Sequence, residues 1–164
     1  MPKLQLSVIA IIIFLSSCDL TSSEQYFNRA RDLEIEGKYK KANAMLDKAI
    51  EKNPKFRGAL LNRGVNKSIL GDYKGAISDY QKLLEFDSDN SLALLNSGNN
   101  YKRLQNYEMA ISSYNKALKT EWAIKPDSIV LKLDINSDFD KDSDYQVSQL
   151  EIIYERGIAF VLNK

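Results

Sequence analysis

One set of residues recurs every 34 positions between Ser23 and about Ile124, and this period restricts the possible folds more than any other feature of the sequence. Six rows of residues follow it: Ala30, Gly64 and Gly98; Asn28, Asn62 and Asn96; Gly37, Gly71 and Gln105; Tyr39, Tyr73 and Tyr107; Ala42, Ala76 and Ala110; Leu46, Tyr80 and Tyr114. A fixed period of this length is typical of stacked copies of one supersecondary unit, each of which buries the apolar face of its neighbour.

Each copy of the repeat is predicted to be a pair of antiparallel helices. Ala, Leu, Glu and Lys dominate, apolar residues recur three and four places apart, and Gly37 and Pro54 interrupt the pattern. The predicted helices are 23–36, 39–52, 57–70, 73–86, 91–104 and 107–123. A glycine inside a helix costs about 1 kcal/mol relative to alanine, so we expect close packing against the tyrosines to offset Gly64 and Gly98.

The segments GKYKKA, GDYKGAISDY and QNYEMAISSY resemble the tetratricopeptide repeat in both period and residue types. The resemblance implies an all-α fold, a right-handed α-solenoid of about three helix pairs over residues 23–124, divided as 23–56, 57–90 and 91–124. In the third repeat Trp122 replaces the expected proline, and AIKPDS reproduces the repeat ending four residues late. Four residues are close to one helical turn, so we expect this insertion to lengthen the last helix to about residue 123.

Residues 125–145 leave the repeat pattern and form a predicted acidic loop, in which 128–133 could be a short strand or a packed segment. Residues 146–164 are predicted to be helical, because Arg156-Gly157 repeats Arg63-Gly64 of the second repeat and the segment is similar to the first helix of a fourth. This helix is apolar on most sides. Three explanations stay open: the acidic loop covers it, a partner or a second copy docks on it, or the sequence is part of a longer array.

The acidic segment contains the one candidate metal site of the sequence. Asp140, Asp142 and Asp144 occupy positions 1, 3 and 5 of a twelve-residue run that ends at Glu151, which resembles the calcium loop of EF-hand proteins. Tyr145 stands at position 6, where the sharp turn of that loop needs glycine. The competing interpretation is a solvated acidic loop whose last polar residue caps the following helix.

The first 17 residues are predicted to be a secretory signal peptide. Lys3 precedes an apolar run over 6–15, which is too short for a membrane-spanning helix of about 20 residues. Leu15-Ser16-Ser17-Cys18 resembles a bacterial lipoprotein processing site. The resemblance implies cleavage before Cys18, acylation of that residue with chains such as palmitate, a tether over 18–22, and a lipid-anchored protein on the outer side of the cell membrane or on the outer membrane. The alternative is an ordinary cleaved signal or a signal anchor.

Composition excludes several functional classes. The chain has no histidine and a single cysteine, which removes histidine-based acid–base chemistry, Ser-His-Asp and Cys-His pairs, and Cys/His zinc sites. A net charge of +1 gives no general attraction to nucleic acid. We therefore expect neither an enzyme nor a cofactor. The remaining catalytic alternative is metal-dependent chemistry of the acidic cluster between Asp138 and Glu151.

The resemblance also implies a concave groove, lined by the first helix of each pair, that receives a peptide or helix of another protein. When the groove positions of the family are transferred one by one to this sequence, they fall on Asn28, Arg31, Asn62, Asn66, Asn96, Asn99 and Arg103. Asparagine offers a donor and an acceptor to an extended backbone, although it can equally serve local hydrogen bonds. A clamp for a C-terminal carboxylate is not expected, because Phe27 stands in its first basic position and Leu92 and Asn96 stand in its last two. The predicted function is a membrane-anchored interaction scaffold, and the alternative is a structural envelope protein that self-associates through the final helix.

Overall fold

The computed structural model describes residues 20–120, 123–124 and 147–163. In this part of the chain seven helices follow one another, with one short strand pair before the last. The helices are α1 (Ser23–Ile35), α2 (Tyr39–Lys52), α3 (Arg57–Ile69), α4 (Tyr73–Leu84), α5 (Ser91–Arg103), α6 (Tyr107–Ala117) and α7 (Gln149–Leu162). Two-residue strands β1 (Ala123–Ile124) and β2 (Val147–Ser148) pair in parallel.

Local sequence signals determine where the helices begin and turn. Ser22 and Gln25 form a reciprocal capping box at the start of α1. The side chains of Asp72, Asn90 and Asn106 accept hydrogen bonds from backbone N–H groups three residues later, at the starts of α4, α5 and α6. The turn within each pair needs one residue with positive φ, which explains the repeated row of Gly37 (70°), Gly71 (84°) and Gln105 (59°).

The helices stack as successive antiparallel pairs. The pairs are α1 with α2, α3 with α4, and α5 with α6; each pair then packs on the next, and α7 packs on α6 and α5 as the first helix of a fourth pair would. This arrangement confirms the predicted all-α solenoid with an additional C-terminal helix. Among the described helices, none has both the length and the apolar character that crossing a membrane requires.

The second and third repeats each have a glycine–tyrosine contact at their centre. Tyr80 and Tyr114 are fully buried. A Cβ atom added to Gly64 would lie 2.5 Å from Cε1 of Tyr80, and one added to Gly98 would lie 2.3 Å from Cε1 of Tyr114. No real Cβ tolerates such distances, so the predicted reason for the repeated glycine is correct: it lets the second helix bring its tyrosine ring against the backbone of the first.

The predicted length of the sixth helix was wrong. We expected it to reach residue 123, but α6 ends at Ala117, and Ala123 already belongs to β1. Tighter bonds close the helix, since the N–H groups of Lys119 and Thr120 donate to carbonyls three residues earlier, and the Thr120 hydroxyl donates to the Ala117 carbonyl at 2.8 Å. The other predicted ends of the six repeat helices agree within two residues. The possible strand at 128–133 lies outside the described residues.

Candidate functional site

A cavity of about 280 Å³ lies between the first helices α3 and α5 and the C-terminal helix α7. Its lining consists of Val65, Ser68, Ile69, Tyr80, Asn96, Asn99, Asn100, Lys102, Arg103 and Glu155. Three of the seven predicted groove residues, Asn96, Asn99 and Arg103, are therefore together here. The cavity is polar for a solenoid interior, and four of its lining residues carry amide or phenol groups.

Two buried tyrosines in equivalent positions differ in their hydrogen bonding. The hydroxyl of Tyr114 donates to Oδ1 of Asn99 at 2.8 Å. One repeat earlier, the position of Asn99 is occupied by Val65, which cannot accept, and the buried hydroxyl of Tyr80 has no hydrogen-bond partner among the described residues. Burial, with a smaller contribution from the charge of Asp79, raises the pKa of Tyr80 well above its ordinary value. The hydroxyl therefore remains a donor at any physiological pH.

A second unpaired polar atom lies in the same lining. Asn100 is buried, and its Nδ2 donates to the backbone carbonyl of Asn96 at 2.8 Å. Its Oδ1 is left without a partner in the part of the chain that the structure describes. An unsatisfied buried donor or acceptor costs about 1–3 kcal/mol. The wall of the cavity thus holds one unpaired donor, the Tyr80 hydroxyl, and one unpaired acceptor, Oδ1 of Asn100, both shielded from solvent by neighbouring atoms.

The rim of the cavity is charged. The ammonium of Lys102 pairs with the carboxylate of Glu155, which connects α5 to α7. Arg103 is exposed beside this pair. Two basic residues and one acidic residue leave a formal charge of +1 at the rim, so the surroundings favour a neutral or acidic ligand over a basic one.

The remaining groove candidates of α1 and α3 lie in a different environment. Nδ2 of Asn62 and Nδ2 of Asn66 donate to the two carboxylate oxygens of Glu34, at 3.1 and 2.6 Å. Burial raises the pKa of Glu34, although these two hydrogen bonds and the charge of Arg31 act in the opposite direction. Asn62 and Asn66 therefore connect α3 to α1 within the solenoid. Asn28 is exposed on α1 and is not part of the cavity lining.

A buried ion network that the sequence analysis missed joins the second helix pair to the first. The guanidinium of Arg63 donates to both carboxylate oxygens of Asp79, at 2.9 and 2.6 Å, and Lys67 donates to Asp79 at 2.7 Å. Arg63 also reaches the exposed carboxylate of Asp47 at 2.6 Å. The side chain of Asp79 is only 1% exposed. Bidentate geometry and two cations keep this buried carboxylate paired.

Of the predicted lipidation and metal-binding residues, only Glu151 lies in the part of the chain that the structure describes. Cys18 and the aspartates at 138, 140, 142 and 144 lie outside the described residues. Glu151 is exposed in the first turn of α7. Acylation of Cys18 and calcium binding by the acidic segment both stay predictions.

Comparison with known proteins agrees with the geometry. The tetratricopeptide-repeat family model matches residues 58–90 and 92–121. The second and third helix pairs therefore match the tetratricopeptide repeat, and the described part of the chain has the corresponding helix-pair solenoid fold. No curated protein sequence matches the chain.

Three solved structures illustrate the range of similar solenoids. The first TPR of Spaghetti (RPAP3) bound to the HSP90 peptide SRMEEVD is 18% identical, covers 89% of this chain and 97% of its own, and has a TM-score of 0.65. A tetratricopeptide repeat protein from Parabacteroides merdae is 20% identical with a TM-score of 0.63, over 86% of this chain and 45% of its own. YrrB, described as a TPR protein with an unusual peptide-binding site, is 23% identical with a TM-score of 0.57, over 60% of this chain and 51% of its own.

Proposed function

We propose that the protein is an interaction scaffold that binds a segment of another protein in the cavity between α3, α5 and α7. The single observation that carries this proposal is the pair of buried unpartnered atoms in the lining, the Tyr80 hydroxyl and Oδ1 of Asn100. Native proteins leave few buried polar groups unpaired, and the exceptions need an explanation. A ligand that displaces the side chains over these two atoms, accepts from Tyr80 and donates to Asn100 supplies that explanation.

An amide group meets both requirements. A peptide backbone or an Asn or Gln side chain carries a carbonyl for Tyr80 and an N–H for Asn100. The exposed Arg103 adds a bidentate site for a carboxylate at the rim, so the favoured ligand is an extended segment with an acidic residue next to the bound amide. Peptide binding by similar solenoids, namely Spaghetti and YrrB, supports this class of ligand.

A free C-terminal carboxylate is not the proposed anchor of the ligand. Phe27 occupies the first basic position of the carboxylate clamp, and it is buried in the core with its ring 4.9 Å from that of Phe56. No rearrangement of an apolar core residue can provide a cation there. The ligand is therefore recognised along its backbone rather than at its end.

We further propose that the scaffold is a bacterial lipoprotein, anchored through acylated Cys18 and facing outward from the cell membrane or the outer membrane. The lipoprotein-like ending at Cys18 and the short apolar leader support this location. Because α1 begins at Ser23, the tether spans at most about 17 Å, which keeps the solenoid close to the lipid headgroups. Several acyl chains are needed for durable anchoring, since one chain binds only marginally.

The anchor is tested by replacing Cys18 with serine. Cys18→Ser is expected to abolish incorporation of labelled palmitate and to move the protein from the membrane pellet to the soluble fraction. Conversion of Ser17 to alanine serves as a neighbouring control that keeps the cysteine. A variant without Cys18 that stays in the membrane pellet would refute the lipid anchor but would leave the binding site untouched.

The binding site is tested by placing a photoreactive residue at Asn96, inside the cavity, and at Ser112, on the exposed outer surface of α6. Irradiation of intact cells is expected to yield an adduct of defined mass from position 96 and none from position 112. Equal adducts from both positions, or none from position 96, would contradict the proposal. Two further changes, Tyr80→Phe and Asn100→Ala, are expected to reduce the adduct.

A second role, self-association, is favoured by one observation on α7. Its outward face carries exposed apolar side chains, and contiguous apolar surface of this kind marks interaction sites. A scaffold that pairs through this helix presents two cavities on one membrane surface.

A further inference from the structure

Helix α7 carries apolar side chains on two opposite faces. Ile152 and Ala159 are fully buried against the preceding helix pair. The opposite face and its flanks carry six large apolar side chains that are 43–69% exposed: Leu150, Ile153, Tyr154, Phe160, Val161 and Leu162. A helix that is apolar on all sides is normally covered on all sides. The outward face of α7 therefore needs an occupant.

Gly157 forms a notch on this face. In the two preceding repeats the equivalent glycines, Gly64 and Gly98, are covered by tyrosine rings from the second helix of the pair. At Gly157 no atom of the described residues comes within 4 Å of the position that a Cβ would take. The surroundings of the notch are apolar, formed by Ile153, Ile158 and Val161 among others. The geometry of this face is that of a site for an aromatic ring supplied from outside the described solenoid.

The chain itself carries a suitable ring three residues before the notch. Tyr154 is 68% exposed, and residues three apart lie on the same face of a helix. Two antiparallel copies of α7, related by a twofold axis between residues 155 and 156, place residue i opposite residue 311 − i. Tyr154 then faces Gly157 of the other copy (154 + 157 = 311), and Leu150 faces Val161 (150 + 161 = 311). Large side chains meet small or matching ones at each of these positions.

We propose that a second copy of this chain covers the outward face of α7, with each Tyr154 ring seated on Gly157 of the other copy. The contact is isologous, as a closed twofold dimer requires. This inference deepens the self-association role proposed above and adds to it a defined register.

The charged residues next to the proposed axis do not oppose it. Glu155 is already paired with Lys102 of its own solenoid, and Nη1 of Arg156 donates to Asn115 at 3.0 Å. Both side chains therefore point back toward the solenoid of their own copy. The pairing face buries apolar groups around the axis and brings no like charges together there.

The test exploits the symmetry of the register. Sedimentation equilibrium of the full chain in detergent micelles is expected to show dimers. Gly157→Tyr places two rings against each other and Tyr154→Gly removes the ring, so each single variant is expected to weaken dimerisation by about tenfold or more. The double variant Tyr154→Gly/Gly157→Tyr exchanges the positions of the ring and the glycine. It is expected to restore dimerisation, because each new ring again faces a glycine of the other copy.

Ile35→Gly, which removes an exposed apolar side chain at the end of α1, far from α7 in the sequence, is the control and is expected to leave the dimer unchanged. Circular dichroism of every variant verifies that the solenoid is folded. If all three α7 variants dimerise as strongly as the wild type, the proposed register is wrong but the self-association role is not. A wild-type chain that stays monomeric at every concentration overturns the register and the self-association role together. Single variants that weaken the dimer without rescue by the exchange overturn the twofold pairing.

Discussion

The hydroxyl groups of Tyr80 and Tyr114 provide a matched pair of substitutions that tests the proposed binding cavity without a ligand. Both side chains are fully buried and both rings pack on a glycine, but only the hydroxyl of Tyr114 has a hydrogen-bond partner among the described residues. Tyr114→Phe removes the hydrogen bond to Asn99, with a net loss of about 0.5–1.5 kcal/mol in the free energy of unfolding. Tyr80→Phe removes a buried hydroxyl that has no partner among the described residues, which is expected to gain about 1–3 kcal/mol.

The two variants should therefore move stability in opposite directions and differ from each other by about 1.5–4.5 kcal/mol. Urea unfolding followed by far-ultraviolet circular dichroism measures both free energies, and equal m-values verify that the same surface unfolds. Equal effects of the two substitutions, or a greater loss from Tyr80→Phe, would refute the reasoning. Either result would mean that the Tyr80 hydroxyl is already satisfied in the free protein.

Three further predictions concern the solenoid. Asp79→Ala removes the buried bidentate partner of Arg63 and leaves that arginine only the exposed Asp47, so it should cost about 3–5 kcal/mol. Asp47→Ala removes only the exposed partner of the same arginine and should cost at most about 1 kcal/mol; similar losses in urea unfolding would contradict the network. Gly64→Leu should lower stability by about 2–3 kcal/mol through overpacking, and a melting temperature within one degree of wild type would count against the helix contact. Burial raises the folded-state pKa of Glu34 above its ordinary 4.5, so the contribution of Glu34 to the free energy of unfolding is full below pH 4.5 and is lost as pH rises through the folded pKa. The stability of the wild type relative to Glu34→Gln should therefore fall between these two pKa values. A stability difference that is flat or rises with pH there would contradict the raised pKa.

The repeat rows determined most of the fold in advance. Each row corresponds to one physical requirement of a stacked helix pair, such as positive φ at Gly37 and Gly71, or close approach at Gly64 and Gly98. These requirements are local or involve one neighbouring helix, so residue type at a fixed spacing is enough to identify them. The end of α6 was not predictable in this way, because it depends on a hydroxyl bond of Thr120 rather than on periodicity.

The cavity was only partly predictable. The family resemblance put Asn96, Asn99 and Arg103 on one groove face, and all three line one cavity. Asn62 and Asn66 bind Glu34 instead, a residue about 30 positions away that belongs to no row. The role of Tyr80 follows from a comparison that the sequence does contain, since Val65 replaces the asparagine that Tyr114 uses. The pairing of Lys102 with Glu155 depends on how α7 continues the solenoid, which no local signal specifies.

The most direct test of the central claim is the affinity of the segment captured from position 96 for the wild-type chain and for the two tyrosine variants. We predict that Tyr80→Phe weakens binding by about tenfold, the equivalent of one buried hydrogen bond, while Tyr114→Phe leaves the affinity unchanged. Affinities that are the same for the wild type and Tyr80→Phe, or a loss confined to Tyr114→Phe, would contradict recognition of a partner segment in this cavity.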